Sequence, residues 1–433
     1  MWNKFFNPKS VALIGASNRP GSVGLAMAKN LLSSRNRRKI FFVNPFKKKI
    51  LGQKTYPCIT AVPQKIDLAV IAIPAPAVLK AVKECSQKKA GAVVVISAGF
   101  AEEGKEGKKR QEAVWQILAK NNIPLLGPNC LGIIRPSAGL NASFAPIMPM
   151  SGDIAFISQS GALIDSLIDI SLKRQFGFSG LVSLGNGAGL GISRFLNFFA
   201  EDKETRVIAM YIEGLKAEEG EKFIKAACKA SRLKYLIALK GGQTNEGNRA
   251  VCSHTGVLAG QAEIYSSAFK KAGIIEVQTI TELTEISLAL SLSPAAAGRN
   301  IGVITNGGAA GVLISDWLNR LGLKVKAYQD LLGDASSRDY AAALKSVLGR
   351  QDINGVIVCQ TFQAMTEPEK NASITVAAQR KCKSKPVLSL LIGGVEADKA
   401  REVLRKQKLP YFNEPRQIAR AMAALVWAGN LLK

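Results

Sequence analysis

Three α/β domains in series, each a mainly parallel sheet with helices on both faces, are the expected architecture of this chain. Three observations lead there. Short continuous Val/Ile/Ala-rich runs alternate with amphipathic stretches along the chain, the pattern of strands buried on both faces. Two connectors, PSAGLNASFAPIMPMSG from Pro136 and LSLSPAAAGRN from Leu290, divide that alternation into three blocks. Each block also contains a strand that runs into a Gly/Ser-rich turn opening a helix: GASNRPGSVG, SQSGAL and TNGGAAG. A length of 433 residues agrees with two to four domains.

The first block reads as strand VALIGAS, helix GLAMAKNLLSS, strands IFFVNP and LAVIAIP, helix AVLKAVKECSQ, strand AVVVISAG, helix RQEAVWQILAKNN and strand IPLLGP. The second begins at DIAFISQSG and continues through GLVSLG, RVIAMYIEG, YLIALKGG and IIEVQTI, with helices between. After YLIALKGG, the polar, glycine-bearing QTNEGNRAVCSHTGVLAGQ is expected to be a long loop, and ordered loops of that length are usually functional. The third block runs IGVITNGG, helix GVLISDWLNRLG, NGVIVCQTF, PVLSLLIGG and an alanine-rich C-terminal helix. The expected domains are 1–137, 145–290 and 299–433. The chain shows no short-period repeat and no low-complexity tract.

Hydrophobic residues make up 47% of the chain, enough to fill several cores. No apolar run approaches the roughly 18–20 residues of a membrane span, and MWNKFFNPKSVALIG reads as the approach to a strand rather than a signal peptide. No membrane association is expected. The seven cysteines are scattered singly without a CxxC pair, which speaks against zinc or a disulfide framework and for reduced thiols in the cytoplasm. No metal site is expected. A net charge of +26 admits nucleic acid, a membrane surface or anionic small molecules. The basic clusters RNRRK, KKK and KKR are short and interleaved with strands and helices. With no aromatic–basic motif of the RRM kind, nucleic acid is not the expected partner.

Small anions fit better. A Gly/Ser turn opening a helix frees backbone N–H groups and aims a helix N-terminus at whatever lies above it. Three such turns in one basic chain point to phosphates. In GASNRPGSVG the glycines are Gly15, Gly21 and Gly24, a longer loop than GxGxxG. The second strand ends in Asn44 and Pro45 followed by Lys47, Lys48 and Lys49, where an NAD enzyme carries an acid. NADP and coenzyme A both suit those lysines, and the long loop favours coenzyme A. No Walker-type P-loop is present.

His254 is the only histidine, placed among Ser253, Thr255 and Gly256. Imidazole is a good nucleophile toward phosphorus when a carboxylate holds its other nitrogen. Glu213, at the end of MYIEG, offers that carboxylate, because parallel strand ends collect at one edge.

In order along the chain, PKSVALIGAS…PGSVG, NP…ILGQKTYP, DLAVIAIPA, ISAGFAEEG, GPNCLG, GDIAFISQSGAL, SHTGVLAG and NGGAAGVL resemble the α subunit of the ADP-forming (NDP-forming) acyl-CoA synthetases, relatives of succinyl-CoA synthetase. The resemblance covers nearly the whole chain. It implies a Rossmann-like CoA-binding domain followed by two flavodoxin-like (succinyl-CoA synthetase-like) domains. It implies that Gly15, Ser17, Gly21, Ser22, Lys47, Ile73, Pro74, Ser97, Gly99 and Asn129 hold coenzyme A. His254 would be the transient phosphohistidine and Glu213 would orient or charge-balance it. Ser158, Ser160 and Gly161 would cap the helix facing the transferred phosphate, and Asn306, Gly307 and Gly308 would shape the same region. The implied reaction is acyl-CoA + ADP + phosphate ⇌ acid + CoA + ATP. ADP/ATP with Mg would sit on a separate ATP-grasp β subunit in an α2β2 assembly. Two departures stand out. Gly189 and Gly191 occupy positions where the family carries acids, and KVKAYQDLLGDASS is short of the family pattern, with Asp330 to Asp334 matching only its end. The glycines speak faintly for a non-catalytic CoA-binding regulatory protein, whereas His254 and Glu213 speak for catalysis.

Overall fold

The computed structural model describes residues 1–33, 36–255 and 262–431, with backbone only at residues 217, 250 and 252–255. Two compact units result: Met1–Lys173 with Gly177–Glu276, and Arg174–Phe176 with Val277–Lys433.

The N-terminal unit holds two sheets. The first comprises β1 (Ser10–Ile14), β2 (Lys39–Val43), β3 (Lys49–Ile50), β4 (Gln53–Tyr56), β5 (Leu68–Ile71), β6 (Ala92–Val95) and β7 (Leu125–Leu126), in the order β3-β4-β2-β1-β5-β6-β7. β1 shows why the run is uniformly apolar. Val11 and Leu13 enter one core while Ala12 and Ile14 enter the core on the opposite face, so every position is buried. The chain leaves β1 for β2 on one side and returns to β5 on the other. That reversal opens a crevice at the C-terminal ends of β1 and β5.

The second sheet comprises β8 (Gly132–Arg135), β9 (Leu140–Ser143), β10 (Ser151–Ser158), β11 (Phe178–Ser183), β12 (Val207–Ile212), β13 (Tyr235–Lys240) and β14 (Ile274–Val277), ordered β14-β13-β12-β10-β11-β8-β9. Its β11-β10-β12-β13-β14 series is the flavodoxin-like order. The stretch from Pro136 differs from the expected connector. It contributes β9, which pairs antiparallel with β8, and β8 pairs antiparallel with β11. Asn141 and Ser143 are buried polar residues of β9 bonded to each other, Ser143 Oγ donating to Asn141 Oδ1 at 2.6 Å. A strand whose buried positions are polar has no apolar signature to read.

The polar segment expected as a loop after β13 also differs. It forms a helix over Asn245–Thr255. Thr244 caps it, its Oγ1 accepting the Gly247 N–H at 3.1 Å. Residues 256–261 of the same stretch lie outside the described residues.

The C-terminal unit holds β15 (Asn300–Thr305), β16 (Lys324–Asp330), β17 (Gly355–Thr361), β18 (Val387–Ile392) and β19 (Tyr411–Phe412), all parallel and ordered β16-β15-β17-β18-β19. The order is again flavodoxin-like. β16 is the KVKAYQD stretch, an edge strand mostly exposed to solvent, which explains its weak apolar pattern. The helix Ile280–Leu292 belongs to this unit. No helix among the described residues is long and apolar enough to cross a membrane.

Candidate active site

A cavity of about 990 Å³ opens at the C-terminal strand ends of the N-terminal unit, lined by residues following β1, β5, β6, β10 and β12. The turn after β1 forms its first wall. Gly15 has φ +98°, and a Cβ there would collide with the Ala72 carbonyl. Gly24, in the first turn of the helix Val23–Leu32, sits so close that its own Cβ would strike the Gly15 carbonyl. Both glycines let the helix N-terminus close onto the turn. Ser22 caps that helix, accepting the Leu25 N–H at 3.3 Å, and its hydroxyl donates to Arg19 O at 2.7 Å. Ser17 accepts the Arg19 N–H at 3.0 Å. Gly21, φ +74°, has open space around it and lies off the cavity wall.

Asn44 ties the end of β2 to this turn. Its amide donates to Ala16 O at 2.9 Å, and its oxygen accepts the N–H groups of Phe46 and Lys47 at 2.8 and 3.1 Å. Phe46 reaches the wall although 89% exposed, whereas Lys47, Lys48 and Lys49 project into solvent beside it. Ile73 and Pro74 line the floor after β5. Ser97 braces them, accepting the Ile73 N–H at 3.2 Å and donating to Ile73 O at 2.5 Å.

Asn129 also lines the cavity, in a left-handed conformation (φ 57°), its N–H on Ser97 O at 2.9 Å. A half-buried network holds it. Asn129 donates to Asn186 Oδ1 at 3.3 Å, and Asn186 donates to Glu102 and Gln111. Gly99 is not on the wall but feeds this network, its N–H donating to Glu102 Oε1 at 2.7 Å. Burial alone would raise the Glu102 carboxyl. The hydrogen bonds from Asn186 and from the main chain at Phe100 and Gly99 outweigh it, and Glu102 stays below the usual carboxylate range.

The second sheet supplies the opposite end. Ser160 and Gly161 line the cavity at the start of the helix Gly161–Arg174, and Ser160 Oγ accepts the Leu163 N–H at 3.4 Å as its cap. Ser158 is fully buried. Its hydroxyl accepts the Ser160 N–H at 3.0 Å and donates to Ser160 O at 2.7 Å, so it shapes the turn from behind. Glu213 follows β12 and lines the same end. Gln159 holds its backbone: Oε1 accepts the N–H groups of Glu213 and Gly214 at 2.6 and 3.1 Å, and Nε2 donates to Gly214 O at 2.8 Å. Lys240, the last residue of β13, is buried and donates to Glu213 O at 2.9 Å and to Gly241 O. Burial lowers the Lys240 pKa, and the Glu213 charge opposes that shift. Burial first, then the charge and hydrogen bond of Glu213, push the Tyr211 phenol up to about 12.

His254 falls in the last turn of the helix Asn245–Thr255, and its side chain lies outside the described residues. In the C-terminal unit the turn after β15 repeats the device of Ser158. Thr305 Oγ1 accepts the Gly307 N–H and donates to Gly307 O, both at 3.0 Å, ahead of the helix Gly308–Arg320. Asn306 pins that turn to β17 through Thr361.

Gly189 and Gly191 have local reasons. A Cβ on Gly189 would press on Leu125. One on Gly191 would run into the Glu219 carboxylate, which accepts the Ser193 hydroxyl at 3.0 Å. A carboxylate from elsewhere in the chain therefore stands beside Gly191.

The cavity thus gathers Gly15, Ser17, Ser22, Ile73, Pro74, Ser97, Asn129, Ser160, Gly161 and Glu213, and leaves Gly21, Lys47, Gly99 and Ser158 off its wall. Sequence reasoning noted Asn44 at the end of the second strand without giving it a contact, and missed Glu102, Gln159, Asn186 and Lys240. Of those four, only Lys240 carried a legible signal, a charge at the end of an apolar strand run. The cavity joins two helix N-termini, one beneath the glycine turn and one at Ser160–Gly161, with a single carboxylate, Glu213, at the second end. That combination suits a long phosphate-bearing ligand running from one sheet to the other.

Comparison with known proteins agrees in class. Residues 9–136 match the CoA binding domain family, and residues 151–290 match the succinyl-CoA ligase like flavodoxin domain. The chain is therefore built as a CoA ligase. It is 36% identical to the acetate–CoA ligase [ADP-forming] II subunit alpha of Pyrococcus furiosus, over 98% of this chain and 97% of the relative. It is 36% identical to acetate–CoA ligase [ADP-forming] I of Archaeoglobus fulgidus over 98% of this chain, but covers 63% of that longer relative. The dinucleotide forming acetyl-coenzyme A synthetase 1 of Ca. Korarchaeum cryptofilum, solved with phosphate and ADP, superposes with a TM-score of 0.94 at 33% identity, covering 100% of this chain and 98% of that one. The chain belongs to the family of ADP-forming acetate–CoA ligase α subunits.

Proposed function

We propose that this chain, an α subunit of the ADP-forming acyl-CoA synthetase family, binds coenzyme A and carries a phosphohistidine, interconverting acyl-CoA, ADP and phosphate with acid, CoA and ATP. One observation carries the reading: a single cavity joins the glycine turn of the first sheet to the Ser160–Gly161 helix N-terminus and Glu213 of the second. The coenzyme's phosphates meet the turn Gly15–Gly24, where the missing Cβ atoms allow close approach of the backbone. Asn44 holds that turn, and Lys47, Lys48 and Lys49 present charge to the outer phosphate. The pantetheine arm passes Ile73 and the Ser97 brace, which brings the thioester to Asn129 and Ser160.

Inorganic phosphate at the N-terminus of the helix Gly161–Arg174 attacks the thioester carbonyl. The C–S bond breaks, and acyl phosphate and the coenzyme thiol form. Neutral His254 then attacks phosphorus, the P–O bond to the acyl group breaks, and the carboxylate leaves. Glu213 holds the N–H of the imidazole and balances the cation that forms. The helix N-terminus stabilises the phosphoryl oxygens throughout.

ADP is phosphorylated on a separate partner subunit of the ATP-grasp type, which would also hold Mg. The Archaeoglobus fulgidus relative, of which the match covers 63%, is longer than this chain and so has room for a further region of that kind. An α2β2 assembly and a cytoplasmic location complete the reading. Relatives named for acetate, 4-hydroxybutyrate and trans-feruloyl-CoA support a monocarboxylic acyl group and leave its size open.

The test pairs wild type with His254→Asn. With partner subunit and γ-labelled ATP, wild type acquires an acid-labile, base-stable label, and the variant acquires none while binding coenzyme A as before. Label persisting on His254→Asn would overturn the reading.

A further inference from the structure

Lys240 is an ammonium with only 3% of its surface exposed. Nothing in the reaction as described requires a buried cation at that point, and burying one is costly unless its charge and donors are used. Its contacts show how they are used. The ammonium donates to Glu213 O at 2.9 Å and to Gly241 O, and stands 4.7 Å from the centre of the Tyr265 ring. Tyr265, on the helix Ala262–Ala272, accepts the Leu215 N–H on its hydroxyl at 2.9 Å. Gly241 leads into the helix Asn245–Thr255 that bears His254, and Tyr265 lies in the helix that follows. The turn Glu213–Leu215 is therefore gripped from both chain ends of the histidine segment at once.

We propose that Lys240 and Tyr265 are positioning residues: together they clasp the Glu213–Leu215 turn between the strand that leads into the helix bearing His254 and the helix that follows it, and the Lys240 ammonium offsets the Glu213 charge.

The second half follows from what surrounds Glu213. Among the described residues its titratable neighbours include Tyr211 on its own strand and Lys240 on β13, with Tyr265 of the helix Ala262–Ala272 on the same turn, and His254 is carried by the last turn of the helix Asn245–Thr255. Gln159, from the end of β10, is neutral. The phenols stay protonated at neutral pH, since Tyr211 is pushed up to about 12 and burial raises Tyr265 as well. Lys240 is thus the cation among these neighbours that offsets the carboxylate before any phosphoryl group arrives. Its coupling to Glu213 is visible from the other side too, where the Glu213 charge partly restores the Lys240 pKa that burial lowers. The ammonium touches the main-chain carbonyl of Glu213, and an opposite charge within about 4–6 Å of a carboxyl lowers its pKa by about 1–3 units. Removing it raises the pKa of Glu213, so the carboxylate is lost at higher pH.

The inference rests on the phosphohistidine reading, and the experiment separates the two. The chain is prepared with its partner subunit, and radiolabelled acetyl phosphate is the probe. The rate of base-stable labelling is followed by rapid quench across mildly acidic to mildly basic pH. Lys240→Gln keeps two N–H donors for the carbonyls of Glu213 and Gly241 but removes the charge. Its acidic limb should move up by about one pH unit, a tenfold loss of rate on the acidic side. Lys240→Arg keeps the charge and should hold the limb at its wild-type position. Tyr265→Phe keeps the ring beneath the ammonium but removes the acceptor for Leu215. It should slow labelling several-fold at every pH without moving the limb. Coenzyme A binding, made largely by the first sheet, reports that each variant is folded. If Lys240→Gln does not fold, the contrast between Lys240→Arg and Tyr265→Phe decides in its place. An unmoved limb in folded Lys240→Gln, a limb displaced in Lys240→Arg, or an unchanged rate in Tyr265→Phe would overturn the clasp. Absence of label on wild type would instead overturn the phosphohistidine reading.

Discussion

Replacing Gly15 by alanine tests the glycine turn, and the structure allows its cost to be worked out against an internal control. Gly15 and Gly21 both have positive φ, at +98° and +74°. Placing a Cβ on such a backbone costs about 1–2 kcal/mol. At Gly21 that is the whole cost, because a Cβ there meets nothing within 4 Å. At Gly15 the same atom would press on the Ala72 carbonyl and come within 2.6 Å of Ile73 Cγ2. Neither can yield easily. Ala72 donates its N–H to Ile14 O at 2.8 Å, and Ile73 is bonded through both its N–H and carbonyl to Ser97. Overpacking of this kind adds about 1–3 kcal/mol, so Gly15→Ala should cost about 2–5 kcal/mol in total. For a unit of this size that is a fall in melting temperature of roughly 5–15 °C, against a few degrees for Gly21→Ala. The displaced groups line the cavity, so affinity for coenzyme A should fall by about tenfold or more in Gly15→Ala and little in Gly21→Ala. Calorimetric titration with coenzyme A and thermal melts of both variants provide the measurement. Equal losses in the two variants would refute the claim that close approach, rather than backbone conformation alone, is what glycine supplies at position 15.

Further outcomes follow from other parts of the molecule. Glu213→Gln should slow phosphorylation of His254 by roughly 10²–10⁴-fold, as for other acid–base partners, with folding unaffected; rapid-quench labelling at wild-type speed would exclude the role. Because Lys47, Lys48 and Lys49 are solvent-exposed, dephospho-coenzyme A should bind the isolated chain only about 2–5-fold more weakly than coenzyme A at low salt, the gap closing as salt rises; tighter binding of NAD than of either would refute the ligand assignment. In the C-terminal unit, burial pushes the Glu285 carboxyl up to about 7, Arg174 opposing and Glu282 reinforcing the shift. A raised folded-state pKa means stability that is complete below about 4.5 and is lost as pH rises through about 7. Glu285→Gln should therefore melt about 3 kcal/mol more stably than wild type at pH 8 and equally at pH 4; a parallel pH dependence in the two proteins would show that Glu285 is not buried in its neutral form.

Much of this architecture was legible in the residues. The runs around Val11, Ile154, Val207 and Ile301 are continuous because each strand is covered on both faces, and such runs can be read one residue at a time. The three Gly/Ser turns were legible for a related reason, since positive φ and close helix approach leave few residue choices. The hairpin of β8 and β9 was not, because Asn141 and Ser143 satisfy each other inside the sheet. Nor was the helix Asn245–Thr255, whose cap is a lone threonine before a polar, glycine-bearing turn.

Residue types alone determined the α/β sheets, raised the expectation of phosphate ligands, and picked out Glu213 as a carboxylate at a strand end. They did so because those features are local: a strand period, a turn conformation, a charge at a terminus. Folding decided which of these features share one space. It set Ser160, Gly161 and Glu213 of the second sheet on the same cavity as Gly15 and Ile73 of the first. It set Ser158 and Gly99 behind the wall as braces, and brought Lys240 and Tyr265 onto the Glu213 turn. Strand order and the buried hydrogen bonds at strand ends fix those relations between residues far apart in the chain, and no local pattern encodes either.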